Sequence, residues 1–397
     1  MPPQLPPDAE KWMARALALA RRGEALASPN PMVGAILVRN GRVVGEGFHA
    51  YDGVRHAEVV ALEAALGAAR GATLFINLEP CCHRGRTGPC TRALMEAGVK
   101  RVVAAMRDPN PAVAGKGFRQ LRAAGVEVVT GVAEAEAQRL NEAFAVWIRT
   151  HRPLVTLKSA MTLDSHMILP DRTGTGRTRS PHQTNRRSRW ITSEAARAEV
   201  HRMRHASDAI LTGIGTVLAD DPLLTDRTGL PRRRPLLRVV LDSRLRLPLR
   251  SKIVRTAKND VVVFTAAGTS SARARTLTRA GVEVVNVRCH PERSEGSLIL
   301  LDLRAVVSEF GRRNILSLML EPGPTLHQAA LDAGIVDKVR LFYAPILAGL
   351  SAPDRAHVAP PFKAARPMRR PVLRTLRQMR IESFGPDFAV EAYLREL

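Results

Sequence analysis

With 397 residues, 45% hydrophobic and 24% charged, the chain is too long for one hydrophobic core and is composed like a soluble globular protein of two or three domains. No apolar run reaches membrane-spanning length, and four cysteines are too few for a disulfide scaffold. A net charge of +23 suits a nucleic-acid binder, but aromatic residues that would stack bases are scarce among the basic stretches.

The opening Met1-Pro2-Pro3-Gln4-Leu5-Pro6-Pro7 has neither the charged nor the apolar part of a secretory signal and reads as the frayed tail of a cytoplasmic protein. Trp12, Met13, Ala16, Leu17 and Ala20 recur at helical spacing before Gly23, which predicts a helix over 10–23. A hairpin follows, with strands at 32–38 and 43–44 about a turn at Gly41. Next come a helix (57–69), a short buried strand (73–78) leading into Glu79-Pro80-Cys81, a helix (91–97) and a strand (102–103). A helix (118–124), a strand (126–129) and a helix (133–148) complete the unit. This alternation implies a largely parallel sheet with helices on its faces. The boundary falls near Thr150-His151-Arg152-Pro153. A second alternating pattern has strands at 154–158, 209–211, 237–241, 261–264, 282–287, 316–320 and 339–343, and a last β-like segment at 388–394. Two patternless stretches, 166–189 with six arginines and 288–297, read as inserted surface loops.

Chemistry concentrates in the first unit. His56-Ala57-Glu58 is followed by Pro80-Cys81 and then Cys90, while Cys289 stands alone. Clustered thiols in such a chain point to a metal or a nucleophile before disulfides. One imidazole and two thiolates make a three-ligand set for zinc that leaves the fourth position open to water. Zinc lowers the pKa of that water toward neutrality, and a carboxylate beside it can take the proton and return it to a leaving amine. Glu58, two residues from His56, can approach the metal without binding it. His56 begins one helix, Cys81 follows a strand, and Cys90 immediately precedes a helix whose positive end favours a thiolate. A structural zinc site closed by Cys82 or His83 stays open on spacing alone. The distribution of charge weakens the nucleic-acid reading and suits a solvated arginine-rich surface or sites for small phosphorylated ligands: residues 1–150 hold 19 Lys and Arg against 14 Asp and Glu, and the rest of the chain holds 41 against 23.

His56-Ala57-Glu58 with Pro80-Cys81 resembles the signature of the cytidine-deaminase superfamily, in which the glutamate is the general acid/base. That superfamily often spaces its cysteines as Cys-x-x-Cys, whereas eight residues separate Cys81 from Cys90 here. The linker, with its Gly85-Arg86-Thr87 core, resembles the bifunctional deaminase–reductase family of riboflavin biosynthesis. So do Asn30-Pro31-Met32-Val33-Gly34, Gly47-Phe48-His49 with Gly53, Asp108-Pro109-Asn110-Pro111 and Gly115-Lys116-Gly117. The resemblance implies an α/β chain: a cytidine-deaminase-like three-layer domain over 8–150, then a dihydrofolate-reductase-like domain over 153–397. It also implies deamination of a pyrimidine ribotide, followed by NADPH reduction of its ribosyl chain to ribityl.

The second half carries matching segments in Leu157 to Asp164, Ser188 to Ser193, Ala209 to Thr225, Leu241-Asp242-Ser243 and Glu321 to Leu326. By resemblance, Ala160, Trp190, Thr216, Asp220, Ser243 and the run Gly323, Pro324, Thr325, Leu326, His327, Gln328 and Ala329 contact NADPH. Ser188, Arg204, Leu224, Arg227 and Glu321 contact the substrate. Gly323 would let backbone approach a phosphate at a helix start, and arginine forks suit a ribose phosphate. No lysine, serine or histidine in this half stands out as a proton donor; the hydride chemistry belongs to the cofactor. Three features depart from the family pattern. A basic insertion opens at Ser165-His166, Pro322 replaces a usual glycine and removes a backbone donor, and Cys82 replaces what is commonly serine. Beside the full deaminase–reductase, three readings stay open. They are a deaminase with an impaired reductase, a nucleic-acid cytidine or adenosine deaminase with a basic accessory domain, and a non-enzymatic zinc module. The expected partner is the small ribotide, with neither membrane nor nucleic acid, and a homo-oligomer is left open.

Overall fold

A computed structural model describes residues 5–6, 8–167, 190–266, 268–288, 301–348 and 373–396. Ser188, Cys289, and most of the two stretches read as insertions (168–189 and 289–297) lie outside the described residues. The chain divides into two units, one of residues 1–152 with 231–234, the other of residues 153–230 with 235–397. Among the described residues, no helix is long and apolar enough to cross a membrane.

In the first unit α1 (Ala9–Arg21) buries Met13, Ala16, Leu17 and Ala20 along one stripe, as its spacing predicts. Strands β1 (Gly34–Arg39) and β2 (Arg42–Phe48) form the hairpin. Its two-residue loop places Asn40 and Gly41 at φ 49° and 71°, the left-handed pair that matches strand twist. Then follow α2 (Ala57–Ala64), β3 (Thr73–Leu78), α3 (Cys90–Glu96), β4 (Arg101–Met106), α4 (Lys116–Ala123), β5 (Glu127–Thr130), α5 (Glu134–Leu140) and α6 (Glu142–Thr150). The sheet order is β2-β1-β3-β4-β5.

Two expectations are corrected here. Only β3, β4 and β5 run parallel; β1 is antiparallel to both its neighbours, and its pairing with β2 follows because a two-residue hairpin cannot join parallel strands. The single helix expected over 133–148 is two, broken at Asn141 with φ −110° and ψ 19°. The break has a cause: the buried Asn141 side chain accepts from Met32 N–H at 2.8 Å and donates to Met32 O at 3.0 Å. It therefore anchors the chain entering β1.

The second unit runs β6 (Leu154–Thr162), α7 (Glu194–Ala206), β7 (Ala209–Gly213), α8 (Ile214–Asp220), β8 (Leu237–Leu241), α9 (Lys252–Arg255), β9 (Val261–Ala266) and α10 (Ser271–Arg279). It continues with β10 (Val282–Val287), α11 (Leu303–Arg312), β11 (Ser317–Leu320), α12 (Pro324–Asp332), β12 (Lys338–Ala344), β13 (Arg377–Phe384) and β14 (Asp387–Tyr393). The sheet order is β10-β9-β8-β7-β11-β6-β12-β14-β13. It is parallel from β10 to β12 and antiparallel through β14 and β13. Period-two alternation sends Leu211, Val239 and Phe264 to one face with Val306, Phe310 and Leu326. Ile210, Val240 and Val263 go to the other face with Ile214, Ile253 and Leu277. Helices therefore cover both faces, as a parallel sheet requires.

Candidate functional site

His56 is the extended residue that enters α2, and Glu58 lies in that helix's first turn. Cys81 follows the end of β3, and Cys90 is the first residue of α3, one position further into the helix than its sequence suggests. These element ends bring His56 Nδ1 to 3.5 Å from Cys81 Sγ and 3.3 Å from Cys90 Sγ. All three donor atoms lie within 4.8 Å of one another. Zinc bonds of about 2.0 Å to nitrogen and 2.3 Å to sulfur imply tetrahedral edges of about 3.5–3.8 Å, so this donor set fits zinc. Among the described residues, neither Cys82 nor His83 joins the group. Three ligands with one position left for water is the catalytic arrangement, not the closed structural one.

The electrostatics suit proton transfer. A hydrogen bond from Cys90 draws the Cys81 thiol down to about 4, and the same contact pushes Cys90 up, so the pair shares one proton. The N–H of Cys90, in the first turn of α3, also donates to Cys81 Sγ at 3.4 Å. Glu58 is 3% exposed; burial, then the Cys81 sulfur, raise its carboxyl to about 7, where a carboxyl both accepts and returns protons readily.

Three further residues, present in the motifs but given no role from sequence, complete this site. His49 stands edge-on to His56 with ring centroids 5.4 Å apart. Asn30 Nδ2 donates to His49 Nε2 at 3.0 Å, and His49 Nδ1 donates to the Arg55 carbonyl at 2.9 Å. These bonds fix one tautomer, and burial lowers the His49 pKa despite the Arg55 bond, which raises it. The third is Glu79, whose buried carboxylate accepts from four backbone N–H groups. They belong to Asp108 (3.1 Å), Gly115 (2.8 Å), Gly117 (2.9 Å) and Phe118 (3.3 Å). A Cβ at Gly117 would lie 2.2 Å from the Pro80 carbonyl, so only glycine lets the two segments meet. Glu79 thus ties the residues just before Cys81 to the start of α4.

In the second unit the candidates gather where β8, β7, β11 and β6, neighbours in the sheet, end. Parallel sheets bind ligands at these carboxyl ends. Ser243 follows β8, Thr216 and Asp220 lie on α8 after β7, Glu321 and Gly323 follow β11, and Ala160 lies near the end of β6. A Cβ at Gly323 would sit 3.3 Å from Thr216 Oγ1, so two expected cofactor residues face each other. Pro324 is the first residue of α12, and Gly323 caps it. Thr325 is exposed, and Gln328 and Ala329 are half-buried. Leu326 and His327 are buried, with His327 Nδ1 2.9 Å from Ser159 Oγ, so their side chains serve packing. Trp190 is exposed, with the Arg197 guanidinium 5.3 Å over its ring.

A charged cluster faces this edge. Arg204, from α7, grips Glu321 bidentately, Nε to Oε1 at 2.7 Å and Nη2 to Oε2 at 2.9 Å, while Nη1 donates to the Thr225 carbonyl at 3.1 Å. Lys158 Nζ lies 4.0 Å from Glu321 Oε2. Burial opposes the charge on Glu321, but Arg204 and Lys158 outweigh it and hold the carboxyl at about 2. Burial lowers the Lys158 ammonium below its ordinary range. Lys158 has no role in the sequence reading; its lowered pKa comes from burial, opposed by Glu321, and neither is visible in its own neighbourhood. Leu224 is buried in the core, which leaves only its backbone for a ligand. Arg227 is exposed.

Residues 153–390 match the family described as the RibD C-terminal domain, and residues 6–106 the cytidine and deoxycytidylate deaminase zinc-binding region. The chain is 41% identical over 338 residues to the riboflavin biosynthesis protein RibD of Actinobacillus pleuropneumoniae, covering 85% of this chain and 84% of that protein. The Escherichia coli K12 RibD is 41% identical over 354 residues, covering 86% and 89%. Among solved structures, form 1 of Acinetobacter baumannii RibD matches with a TM-score of 0.77 at 34% identity, over 97% of this chain and 98% of that one. A diaminohydroxyphosphoribosylaminopyrimidine deaminase/5-amino-6-(5-phosphoribosylamino)uracil reductase from Thermotoga maritima matches at 0.75 and 33%, with the same coverage.

Proposed function

The chain belongs to the RibD family of bifunctional riboflavin-biosynthesis enzymes, and from that premise we propose which residues carry each of its two activities. It is a zinc-dependent deaminase and an NADPH-dependent reductase in one chain. We assign the first activity to residues 8–150 and the second to residues 153–397. The substrate is 2,5-diamino-6-(5-phosphoribosylamino)pyrimidin-4-one, whose 2-amino group is removed before its ribosyl chain is reduced to ribityl. One observation carries the deaminase assignment: His56, Cys81 and Cys90 present their donor atoms within 4.8 Å of one another, beside the buried Glu58.

In this reading His56, Cys81 and Cys90 hold the metal. Bound there, zinc supplies the acidity that makes water a nucleophile near neutral pH. Glu58 accepts a proton from the attacking water and delivers it to the departing amine, which leaves as ammonia. Glu79 keeps Cys81 in place through its four backbone N–H bonds.

In the reductase, Ala160, Trp190, Thr216, Asp220, Ser243 and the Gly323–Ala329 segment hold NADPH, which supplies the hydride. Ser188, Arg204, Leu224, Arg227 and Glu321 hold the ribotide. When hydride reaches C1′ of the ribosyl group, the bond from C1′ to the ring oxygen breaks and that oxygen needs a proton. Lys158, buried with a lowered pKa beside Glu321, is placed to give it. We place the enzyme in the cytoplasm, whose reducing poise keeps Cys81 and Cys90 as thiols for the metal.

The test is Glu58→Gln in the full chain. Ammonia release from the diaminopyrimidine ribotide should fall by about 10²–10⁴-fold, with zinc content and NADPH oxidation on the deaminated ribotide unchanged. Undiminished ammonia release would remove Glu58 from the mechanism.

A further inference from the structure

The segment 223–228 of the second unit is fixed at nearly every residue. Leu224 adopts a left-handed backbone, φ 54°, a conformation that a side-chain-bearing residue keeps only when its surroundings over-determine it. The surroundings are visible. The Leu223 carbonyl accepts from Arg238 Nη1 at 3.1 Å, and the Leu224 side chain is sunk in the core. The Thr225 carbonyl accepts from Arg204 Nη1 at 3.1 Å. Asp226 Oδ2 accepts from His205 Nδ1 at 2.7 Å. Its other oxygen, Oδ1, accepts from the N–H of Thr228 at 2.9 Å and from Thr228 Oγ1 at 2.8 Å. The exception is Arg227, which is exposed and makes no hydrogen bond or ion pair among the described residues.

His205 is 3% exposed and follows Arg204 directly near the end of α7. Two consecutive residues of one helix thus hold two consecutive residues of the loop: Arg204 takes the Thr225 carbonyl and His205 the Asp226 carboxylate. Arg204 meanwhile clamps Glu321, so the loop is referenced to the same charged cluster that faces the strand ends. A long cation that must meet a phosphate gains from a backbone set beforehand, because ordering it on binding costs affinity.

We propose that His205 and Asp226 are a positioning pair for the reductase: they touch neither substrate nor cofactor, and they hold the backbone of Arg227 so that its guanidinium meets the phosphate of the ribotide. The inference rests on the assignment of Arg227 to the substrate, made above.

The experiment uses the full-length chain, the deaminated ribotide and NADPH. KM for each and kcat are measured in Asp226→Asn, His205→Ala, His205→Asn, Arg227→Ala and the Asp226→Asn/Arg227→Ala double variant. Ammonia release by the deaminase in the same preparations reports that the chain is intact. Asp226→Asn keeps the shape of the side chain and removes its charge, so it carries the test even if His205→Ala fails to fold. Asp226→Asn and His205→Ala should raise KM for the ribotide by about 10-fold, as mispositioning a binding group does, with KM for NADPH unchanged. His205→Asn, which keeps a donor, should recover part of the loss. In the Arg227→Ala background Asp226→Asn should add nothing. If Arg227→Ala raises KM but Asp226→Asn does not, or if the two effects simply multiply, the positioning role is wrong. If Arg227→Ala itself leaves KM unchanged, the assignment of Arg227 to the substrate is what fails, and the pair loses its purpose with it.

Discussion

In the first unit His56 and Cys90 reach one point across 34 positions of chain, each delivered by the start of a helix. In the second, Arg204 and Glu321 meet across 117 positions, and Lys158 joins them from another strand. The first site is an imidazole beside two sulfurs that share one proton, and it becomes strongly electrophilic when a cation is bound. The second already contains its field, an ionised glutamate between two cations. The chemistry of the first therefore depends on the metal, whereas that of the second depends on burial and fixed charge, which no chelator can remove.

Lys158→Met should break the comparison most sharply, since it keeps the bulk and deletes the proton. NADPH oxidation on the deaminated ribotide should fall by about 10²–10⁴-fold, while ammonia release stays at its normal rate. Because burial lowers the Lys158 pKa and the acid form is the one needed, the wild-type reductase should lose kcat as pH rises through a value below the ordinary lysine range. A reductase that persists in the variant places the proton elsewhere. On the other side, Glu79→Gln should weaken zinc binding by about 10–100-fold, the usual cost of losing an outer support, as read by competition with a chromogenic chelator. Unchanged affinity would mean that Cys81 is positioned without Glu79.

The smallest effect concerns acid stability. Glu321 falls from an ordinary 4.5 to about 2 in the folded chain. A depressed carboxyl contributes stability that is present above the unfolded value near 4.5 and lost as pH falls toward 2, worth about 3 kcal/mol in all. The stability gap between wild type and Glu321→Gln in urea unfolding should therefore narrow between pH 5 and pH 2. A gap independent of pH would show that the carboxylate is not held by its cations.

The same contrast explains what could be read in the sequence. The convergence of His56, Cys81 and Cys90 was legible because the pattern is stored in spacing at element ends. Asn30, His49 and Glu79 sat in recognisable motifs, but their roles lie in hydrogen bonds to residues elsewhere in the chain. Asn141 broke a helix that its composition favoured, because its amide serves Met32. The strand β13 went unread because its residues are nearly all exposed, so no buried face imprints a period on it. The lowered pKa of Lys158 was not legible either, since burial and Glu321 come from distant residues.

One chain thus carries a metal-dependent site and a metal-independent one. Zinc can be stripped from the full-length protein with a chelator and both activities measured before and after it is returned. Ammonia release should vanish and recover, with NADPH oxidation on the deaminated ribotide constant throughout. Deamination that survives the loss of the metal, or a reductase that fails with it while the chain remains folded, would show that the two sites do not divide in this way.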